Sequence, residues 1–485
     1  MKNQFAWSIL FLLNGCGGGG VGNPSPAVNQ PPTFTSAAKT NIVENNSLSF
    51  QVAAIDSENQ PLTYSISGGA DAAAFSISAS GVLVLAAKNF DNPTDANADN
   101  IYQVTLAVGD GALTTNQNFS VTVTNHREGI GVRRLFVGFT DPVAMAPIPG
   151  DTRLFVAERD GSIWYFDPVT NTRSLYVRAA PFDPIGGPQS LGPDGLLAIV
   201  PSASFATDGD LFVALSDSRG NIQVRRFIRR IIETGLLNNS AEVLTIARGA
   251  QTPTAGAWLG IGPDNELYLA TGDAGGQNDA SNSAQSDSSR FGKLLRIRRN
   301  PDPFAGATPV YYFYDMIAKG VRHPSGGFFI GNELYIGDRG QTRFGELNRT
   351  TTTPTGVNFG WPFREGNVEN QPGAPVGLTD PLLEVAYGSG PKQGSGLVIG
   401  RVFTTSITEL QSQLVFADLD GAMWTVSTSR LTSGAVLGAS DYERRNEDFQ
   451  PDVGSISGIV AFASGPGGRS YMLDRDGEIF EIIPG

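Results

Sequence analysis

The sequence predicts an all-β protein in which a β-sandwich precedes a six-bladed β-propeller. Two observations carry this prediction. A strand–turn–strand phrase recurs six times toward the end of the chain, and about seven short strand-like segments with turn signals precede it. Repetition at a long, roughly constant period indicates a solenoid or propeller, and many short strands in about a hundred residues are typical of a sandwich. The abundance of glycine, 59 of 485 residues, and the lack of helical periodicity agree with both domains.

The repeated phrase is clearest in residues 153–168, RLFVAERDGSIWYFDP. An Asp-Gly pair between two apolar runs predicts a hairpin, because the turn needs a positive φ that glycine supplies. The copies begin 56 to 80 residues apart, at Arg153, Asp210, Glu266, Glu333, Gln413 and Arg469. One blade cannot bury its own apolar faces, so the copies predict blades packed radially over residues 130–485. A large sandwich with repetitive hairpins is the alternative, and six phrased copies disfavour it.

The unequal spacing of the copies predicts long insertions before the fourth and fifth blades, and such loops usually build a binding site.

The net charge of the chain excludes one class of partner. With a net charge of −13 and a pI of about 4.7 the chain lacks the basic face that nucleic acid requires. Acidity is compatible with divalent cations or neutral sugars as ligands, although solubility alone explains it better.

The N-terminus predicts an exported protein. Lys2 precedes an apolar run over residues 5–13, which is too short to span a bilayer and is typical of a secretory signal in residues 1–15. The following Leu-Asn-Gly-Cys resembles the lipobox of bacterial lipoproteins, which implies lipidation of Cys16 and membrane attachment; a chance cysteine after an ordinary signal is the alternative. Cys16 is the only cysteine, so no disulfide is expected. Residues 16–32, rich in Gly and Pro, are expected to form a tether.

Residues 33–127 are expected to form the sandwich, with acidic groups at its strand ends. The phrases IVENN, AAIDSENQPLTYSISGGAD, FDNPTDANADNIYQVTLAVGDG and VTVT resemble a bacterial cadherin-like repeat. That resemblance implies calcium binding and a protein or cell-surface partner, with ligands at Glu44, Asp56, Glu58, Asp91, Asp95, Asn97, Asp99, Asn100 and Asp110. Only one repeat is present, whereas the next domain usually completes such sites. Solvated acidic turns on an immunoglobulin-like sandwich are the alternative, and His126 is expected to be an exposed linker residue.

Four phrases of the propeller region resemble a second known family. They are TAGAWLGIGPDNELYLATGDAGG, FGKLLRI, KGVRHPSGGFF, and GDRGQTRFGELN followed by GVNFGWPFREG. They resemble the soluble quinoprotein glucose/sorbosone dehydrogenases, which use pyrroloquinoline quinone (PQQ). The resemblance implies a six-bladed propeller, calcium, and an aldose or related carbohydrate as substrate. The N-terminal signal separately predicts a location outside the cytoplasm, in the bacterial cell envelope.

The same resemblance assigns site residues. Arg322, His323 and Ser325 match the family phrase that holds the cofactor, and Gly340 and Gln341 match the positions whose carbonyls bind calcium. The family's catalytic histidine matches Thr254, which cannot act as a general base near neutral pH. His323 is the only histidine of the propeller region and is therefore the candidate replacement base. A hydrogen-bonded structural histidine, and for Arg322 a structural loop anchor, are the alternatives.

Two classes of function remain open from the sequence. The first is a lipid-anchored, calcium- and PQQ-dependent sugar dehydrogenase. The second is a non-catalytic propeller that binds or adheres through calcium and carbohydrate or protein partners.

Two further expectations concern individual side chains. Trp361 either lines a sugar site or packs a corner, and the pair Arg225-Arg226 lies on a solvated strand face.

Overall fold

The computed structural model describes residues 28–183, 187–188, 190–228, 240–247, 256–274, 276–300, 312–402, 407–432 and 434–485. The chain divides into two compact units. One holds the residues up to Asn89 together with Pro93–Thr124, and the other holds Phe90–Asn92 and Asn125–Gly485. Within these described ranges the structure is almost entirely β, with one short α-helix, Phe205–Asp208. None of the described helices is long and apolar enough to cross a membrane.

The first unit is built from two main sheets. Its strands are β1 (Thr33–Phe34), β2 (Lys39–Val43), β3 (Leu48–Gln51), β4 (Ala54–Ile55), β5 (Thr63–Gly68), β6 (Phe75–Ile77), β7 (Val82–Leu85), β8 (Ile101–Gly109) and β9 (Thr114–Thr124). One sheet has the order β2-β9-β8-β5 and the other β3-β7-β6. Alternate residues of β8 and β9 are buried, and Phe50 of one sheet lies 4.9 Å from Phe119 of the other between ring centroids. Alternation of this kind is what two facing sheets require.

The second unit contains six sheets of four or five strands and two short hairpins. Its strands are β10 (Ile130–Val137), β11 (Pro142–Pro147), β12 (Leu154–Glu158), β13 (Ser162–Asp167), β14 (Thr172–Arg178), β15 (Phe182–Asp183), β16 (Gly187–Pro188), β17 (Leu191–Pro201), β18 (Asp210–Asp217), β19 (Ile222–Ile228), β20 (Ser240–Ile246), β21 (Ala257–Ile261), β22 (Leu267–Thr271), β23 (Lys293–Arg299), β24 (Tyr312–Lys319), β25 (Pro324–Ile330), β26 (Glu333–Arg339), β27 (Phe344–Thr351), β28 (Val357–Asn358), β29 (Arg364–Glu365), β30 (Val368–Glu369), β31 (Leu383–Ala386), β32 (Leu397–Val402), β33 (Gln413–Asp418), β34 (Met423–Ser427), β35 (Glu443–Arg444), β36 (Ile459–Ser464), β37 (Ser470–Asp474) and β38 (Glu478–Pro484).

The sheets are the six blades that the sequence predicts. From inside to outside they read β11-β12-β13-β14, β17-β18-β19-β20, β21-β22-β23-β24-β28, β25-β26-β27-β31, β32-β33-β34-β35 and β36-β37-β38-β10. Each copy of the repeated phrase forms the second strand of its blade. Every residue of β12, β22 and β37 is buried, because neighbouring blades cover both faces of these strands. This explains why the phrase is a continuous apolar run without period-two alternation.

The ring is closed by strands from opposite ends of the unit. β10 pairs antiparallel with β38, from Ile130 opposite Pro484 to Val137 opposite Glu478. The sixth blade therefore takes three strands from the C-terminus and its outermost strand from residues 130–137. The ion pair between Arg133 and Glu481, 2.6 Å long, crosses this seam.

A carboxylate at the end of the second strand anchors the entry to the blade in several repeats. Glu158 accepts a 2.6 Å hydrogen bond from the Thr140 amide, and Asp474 accepts one of 2.7 Å from the Ser457 amide. In the fourth blade Asp338 has this role. The next side chain along the chain turns toward the propeller axis, which places Arg159, Arg339 and Arg475 around the central cavity.

The long insertions lie inside the third and fourth blades. One runs from the end of β22 to the start of β23, and the other from the end of β27 to the start of β31. β28, in the second insertion, pairs in parallel with the last residues of β24, Ala318 and Lys319. That pairing places the start of the second insertion beside the 320–323 connection that leads into the fourth blade.

Candidate active site

A cavity of about 870 Å³ runs along the propeller axis, and the innermost strand of every blade lines it. Its walls combine polar groups with apolar side chains such as Trp258, Phe328 and Ile399. Charged residues gather where the second strands end: Arg159, Arg339, Arg475, Asp141 and Asp194. His323 also lines the cavity. Arg159 is paired with Asp141 at 2.7 Å, and the three arginines leave a small excess of positive charge, which suits an anionic ligand.

Four segments that are far apart in sequence meet beside this cavity. The Asp273 amide donates to the Arg322 carbonyl at 3.0 Å, and the Arg339 amide donates to the His323 carbonyl at 2.9 Å. The Trp361 indole donates to the Asp273 carboxylate at 2.8 Å. These contacts join the segment after β22, the 320–323 connection, the end of β26 and the second insertion. The phrases that carried the resemblance therefore build one site.

Asp338 fixes the backbone at the centre of this site. Its two carboxylate oxygens accept the amides of Arg322 at 2.8 Å and His323 at 2.5 Å. The carboxyl group is buried, and burial raises the pKa of Asp338 although the two amides and the nearby Arg322 charge oppose that rise. Asp338 was not among the predicted site residues, yet it is the residue that holds Arg322 and His323 in place.

Arg322 is half-buried and spans the site. Its Nη1 donates to the carbonyls of Arg339 at 3.0 Å and Gly340 at 2.6 Å, and its guanidinium lies 5.5 Å from the Trp361 ring centroid. The Nε atom is buried without a hydrogen-bond partner in the described part of the chain. A buried donor without a partner is costly, so the other contacts of Arg322 must offset that loss.

The His323 imidazole packs closely against Gly256, the residue directly before β21. A Cβ added at Gly256 would lie 3.0 Å from the imidazole Cδ2 and 3.1 Å from Nε2, so only glycine fits there without displacement of the ring. Burial, together with the charges of Arg339 and Arg322, lowers the pKa of His323 to about 3. The imidazole is therefore neutral across the physiological range, as a proton acceptor must be.

A second group of carboxylates supports the loop between β26 and β27. Glu365 is buried and accepts the amides of Thr342 and Arg343, each at 2.7 Å. Glu346, opposite Asp338 across the β-ladder, accepts the amide of Gly366 and the side-chain amide of Asn348. Burial raises the pKa of Glu346, and the neighbouring charge of Asp338 raises it further.

Of the two carbonyls expected to bind calcium, that of Gly340 is engaged by protein donors. Gly340 O accepts the Arg322 Nη1 and also the Tyr387 hydroxyl, at 3.3 Å. The side chain of Gln341 bonds to Asn278, whose amide donates to Gln341 Oε1 at 2.9 Å. A carbonyl oxygen has two lone pairs, and a guanidinium on one of them repels a divalent cation. In this arrangement Gly340 does not fit calcium, and no chemical step is assigned to a metal there.

Other predicted site residues fall in different places. Ser325 lies in β25, and its buried hydroxyl has no hydrogen-bond partner among the described residues. Thr254 and Cys16 lie outside the described residues. Trp361 is 3% exposed, so it packs a corner and does not present its ring to a sugar. Arg225 is 1% exposed, which contradicts the predicted solvated face, and it donates to Ser240 Oγ at 2.8 Å.

The acidic residues of the first unit form local turns. Asp95 accepts the amides of Asp99 and Asn100, at 2.8 and 3.2 Å, and Asn97 donates to Asp99. Glu44 is buried at the end of β2. Asp56, Glu58 and Asp110 are connected through the residues just before β1: Asn29 donates to Asp110 at 2.8 Å, and the Gln30 amide donates to Glu58 at 3.2 Å.

Asp91 groups with the second unit and makes a buried ion pair there. Its carboxylate lies 2.7 Å from Arg445, and both side chains are almost fully buried. Arg445 also pairs with Glu128 at 2.6 Å and with Asp448 at 3.3 Å. His126, in the same linker as Glu128, is exposed, as predicted.

Comparisons with known proteins agree with this architecture. Residues 139–385 match the model of the family described as Glucose / Sorbosone dehydrogenase. The HIPL2 protein of Arabidopsis thaliana is 28% identical over 253 residues, which cover 45% of this chain and 34% of that protein. The chain thus spans about a third of the length of the curated relative that it matches.

Solved structures show the same fold. The aldose sugar dehydrogenase of Escherichia coli, in its apo form, is 19% identical with a TM-score of 0.53, over 73% of this chain and all of that one. The PQQ-bound aldose sugar dehydrogenase of Streptomyces coelicolor is 20% identical with a TM-score of 0.52, over 73% of this chain and 98% of that one. These likenesses establish the propeller, and the family model matches half of the sequence. The chain therefore belongs to the Glucose / Sorbosone dehydrogenase family.

Proposed function

We propose that this protein is a lipid-anchored, extracytoplasmic sugar dehydrogenase that uses PQQ. The observation that carries the proposal is the central cavity, which His323 and Arg339 both line and beside which Arg322 donates to the Arg339 carbonyl. Family membership supports the reaction class, and the PQQ bound to the Streptomyces coelicolor relative supports the cofactor.

The site suits an anionic quinone. PQQ is a planar tricarboxylate, and bidentate pairing with arginine is the usual way in which proteins hold carboxylates. Arg339, which lines the cavity, would hold it together with Arg322, which donates to the Arg339 carbonyl. Arg339 is itself fixed by a 3.1 Å hydrogen bond to the Leu397 carbonyl. When bound, such a quinone supplies the acceptor for the hydride of a sugar's anomeric carbon.

His323 is the residue that would take the proton of the anomeric hydroxyl. The imidazole lines the cavity, where it can meet a substrate. A pKa of about 3 makes it a weak base in the ligand-free protein. Carboxylates paired with Arg322 and Arg339 would neutralise the two charges that help depress this pKa. Ligand binding would thereby raise the pKa of His323 toward the working range.

Titration of the purified full chain with PQQ, followed by dye reduction with glucose and other aldoses, tests the proposal. We expect saturable quinone binding, and we expect H323A to abolish turnover while leaving quinone binding in place. H126A is the matched control, because His126 is the only other histidine and lies exposed in the linker. Turnover that survives H323A would show that another group accepts the proton.

A non-catalytic binding protein is the second candidate. The low pKa of His323 favours it, since a weak base contributes less than the factor of about 10² to 10⁴ typical of general-base catalysis. Quinone or sugar binding without turnover would establish this function. No quinone binding at high concentration would remove the dehydrogenase proposal.

For the first unit we propose a cadherin-like domain that binds calcium and contacts a protein or cell-surface partner. The sequence resemblance and the acidic residues near Asn29 and Gln30 support this proposal. Attachment of the chain to the membrane through Cys16 remains a proposal from the lipobox resemblance. C16A should yield unprocessed or freely soluble protein, and normal partitioning of that variant into the detergent phase would refute the anchor.

A further inference from the structure

The most unusual feature of the site is an arginine that occupies a pair of backbone carbonyls. Arg322 Nη1 lies 3.0 Å from Arg339 O and 2.6 Å from Gly340 O. Adjacent carbonyls that converge on one point form a cation site, which a metal or a guanidinium can fill. Here the cation belongs to the protein.

The arginine is held in this place from several sides. Its amide donates to Asp338, its carbonyl accepts from Asp273, and its guanidinium lies over the ring of Trp361. Trp361 is in turn fixed by its hydrogen bond to Asp273. A side chain anchored at its backbone and packed along its length loses little additional entropy on reaching the carbonyls.

The surrounding carboxylates are committed to other partners. Asp338 accepts two backbone amides, Asp273 accepts the Trp361 indole, and Glu365 accepts the amides of Thr342 and Arg343. Calcium takes six to eight oxygen ligands, so a cation could bind at the two carbonyls only if Arg322 left them, with water among its remaining ligands.

A second arginine adds to the charge at the same point. Arg339 contributes one of the two carbonyls, and its own guanidinium reaches the cavity beside His323. Arg339 therefore brings a fixed positive charge to the cavity, and Arg322 holds a second charge at the Arg339 carbonyl. This is the electrostatic contribution that a divalent cation would otherwise make.

From these contacts we propose that Arg322 replaces a divalent cation at the Arg339–Gly340 carbonyls. The site then binds its anionic quinone through protein charges alone and without calcium. This inference rests on the proposed function for the identity of the ligand, but the occupancy of the carbonyls is independent of it.

The experiment compares calcium responses of the full chain and its R322Q variant, in which the carbonyls are freed and the charge is removed. We measure the melting temperature in calcium and in EGTA for each. Any calcium binding by the first unit is common to both proteins and cancels in the difference. We expect R322Q to gain a calcium-dependent rise in melting temperature beyond that of the wild type. An equal or larger response in the wild type would overturn the proposal.

R322K is the matched control, since it retains a positive charge with a single, shorter donor group. We expect its calcium response to stay below that of R322Q. If R322Q does not fold, the wild type decides the question by quinone titration in EGTA and in calcium. Equal affinity supports the proposal, whereas a calcium requirement of about tenfold or more refutes it. If no quinone binds in either buffer, the proposed function fails, and R322A, which also frees the carbonyls and removes the charge, replaces R322Q in the melting comparison. A calcium response larger than that of the wild type supports replacement, and an equal response refutes it.

Discussion

The indole Nε1 of Trp361 donates a 2.8 Å hydrogen bond to Asp273, a residue 88 positions earlier in the chain. Each residue is 3% exposed. The contact ties the second insertion to the segment after β22, and both segments border Arg322. Hydrogen bonds to charged groups are stronger than those between neutral groups, so we expect this bond to contribute measurably to the stability of the site.

Replacing Trp361 by Phe should lower the free energy of unfolding by about 1–3 kcal/mol, because a buried carboxylate loses a donor. Urea denaturation of the full chain measures the change. In a double-mutant cycle with D273N we expect a coupling energy above about 0.5 kcal/mol, as for residues in direct contact. W424F is the control, since the Trp424 indole donates to the Pro391 carbonyl and not to Asp273. Additive effects of W361F and D273N would contradict the assignment.

Local sequence predicted much of the propeller. The apolar run of each repeated phrase specifies the second strand of a blade, such as Leu154–Glu158, because both its faces are covered. The ring closure was not predicted, since Ile130–Val137 does not resemble the phrase and its partner lies at the other end of the unit. Pairing over such a distance has no signature in local composition.

The site was predicted in part. Arg322 and His323 were identified because the family phrase matched, whereas Asp338 was missed, although the acidic end of the second strand recurs in the repeats. Arg225 shows another limit: a polar residue usually marks a solvated face, but β19 lies inside a blade, where neighbouring strands cover it. Burial of that residue depends on tertiary packing, which pattern analysis does not contain.

Acid should destabilise the protein partly through His323. Its pKa is lowered on folding from 6.5 to about 3, chiefly by burial. The unfolded chain therefore binds a proton at a higher pH than the folded chain, and stability falls as the pH drops from 6.5 toward 3. The slope from this group reaches at most about 1.4 kcal/mol per pH unit.

Urea denaturation between pH 7 and pH 4 would reveal this contribution. H323Q lacks the titrating group, so its stability should fall less steeply with acid than that of the wild type. H126Q, at the exposed histidine, should follow the wild type. Parallel curves for H323Q and the wild type would show that His323 is not shielded as the structure indicates.

Glu346 should act in the opposite direction. Burial raises its pKa on folding above the ordinary 4.5, so the folded chain retains a proton that the unfolded chain has lost. Its contribution to stability is present at low pH and is lost as the pH rises through the raised pKa. E346Q resembles the protonated form and should be more stable than the wild type at pH 8, with the advantage vanishing near pH 4. E409Q, at an exposed position, should show no such difference.

Closure of the ring should depend on the buried residues of β10. Ile130 is 1% exposed and Val137 is 52% exposed on the same strand. I130A should therefore lower the free energy of unfolding by about 2–4 kcal/mol through lost burial and a residual cavity. V137A should change it by less than about 0.5 kcal/mol. If I130A and V137A changed the free energy of unfolding equally in chemical denaturation, burial in β10 would not control it. The pairing of β10 with β38 would then open before the remainder of the propeller unfolds.

Calcium should stabilise the first unit through Asp56, Glu58 and Asp110. Asp56 Oδ2 is buried without a hydrogen-bond partner in the described chain, and Asp110 stays ionised because the amides of Leu113 and Ala112 lower its pKa. By contrast, Asp95 already accepts two backbone amides. Differential scanning calorimetry of the full chain with and without millimolar calcium should show a rise in the transition of this unit. The D56N/D110N variant should lose most of that rise, and the matched D95N/D99N variant should retain it. A rise that survives D56N/D110N and disappears in D95N/D99N would move the site to the other cluster, and no rise in the wild type would refute calcium binding by this unit.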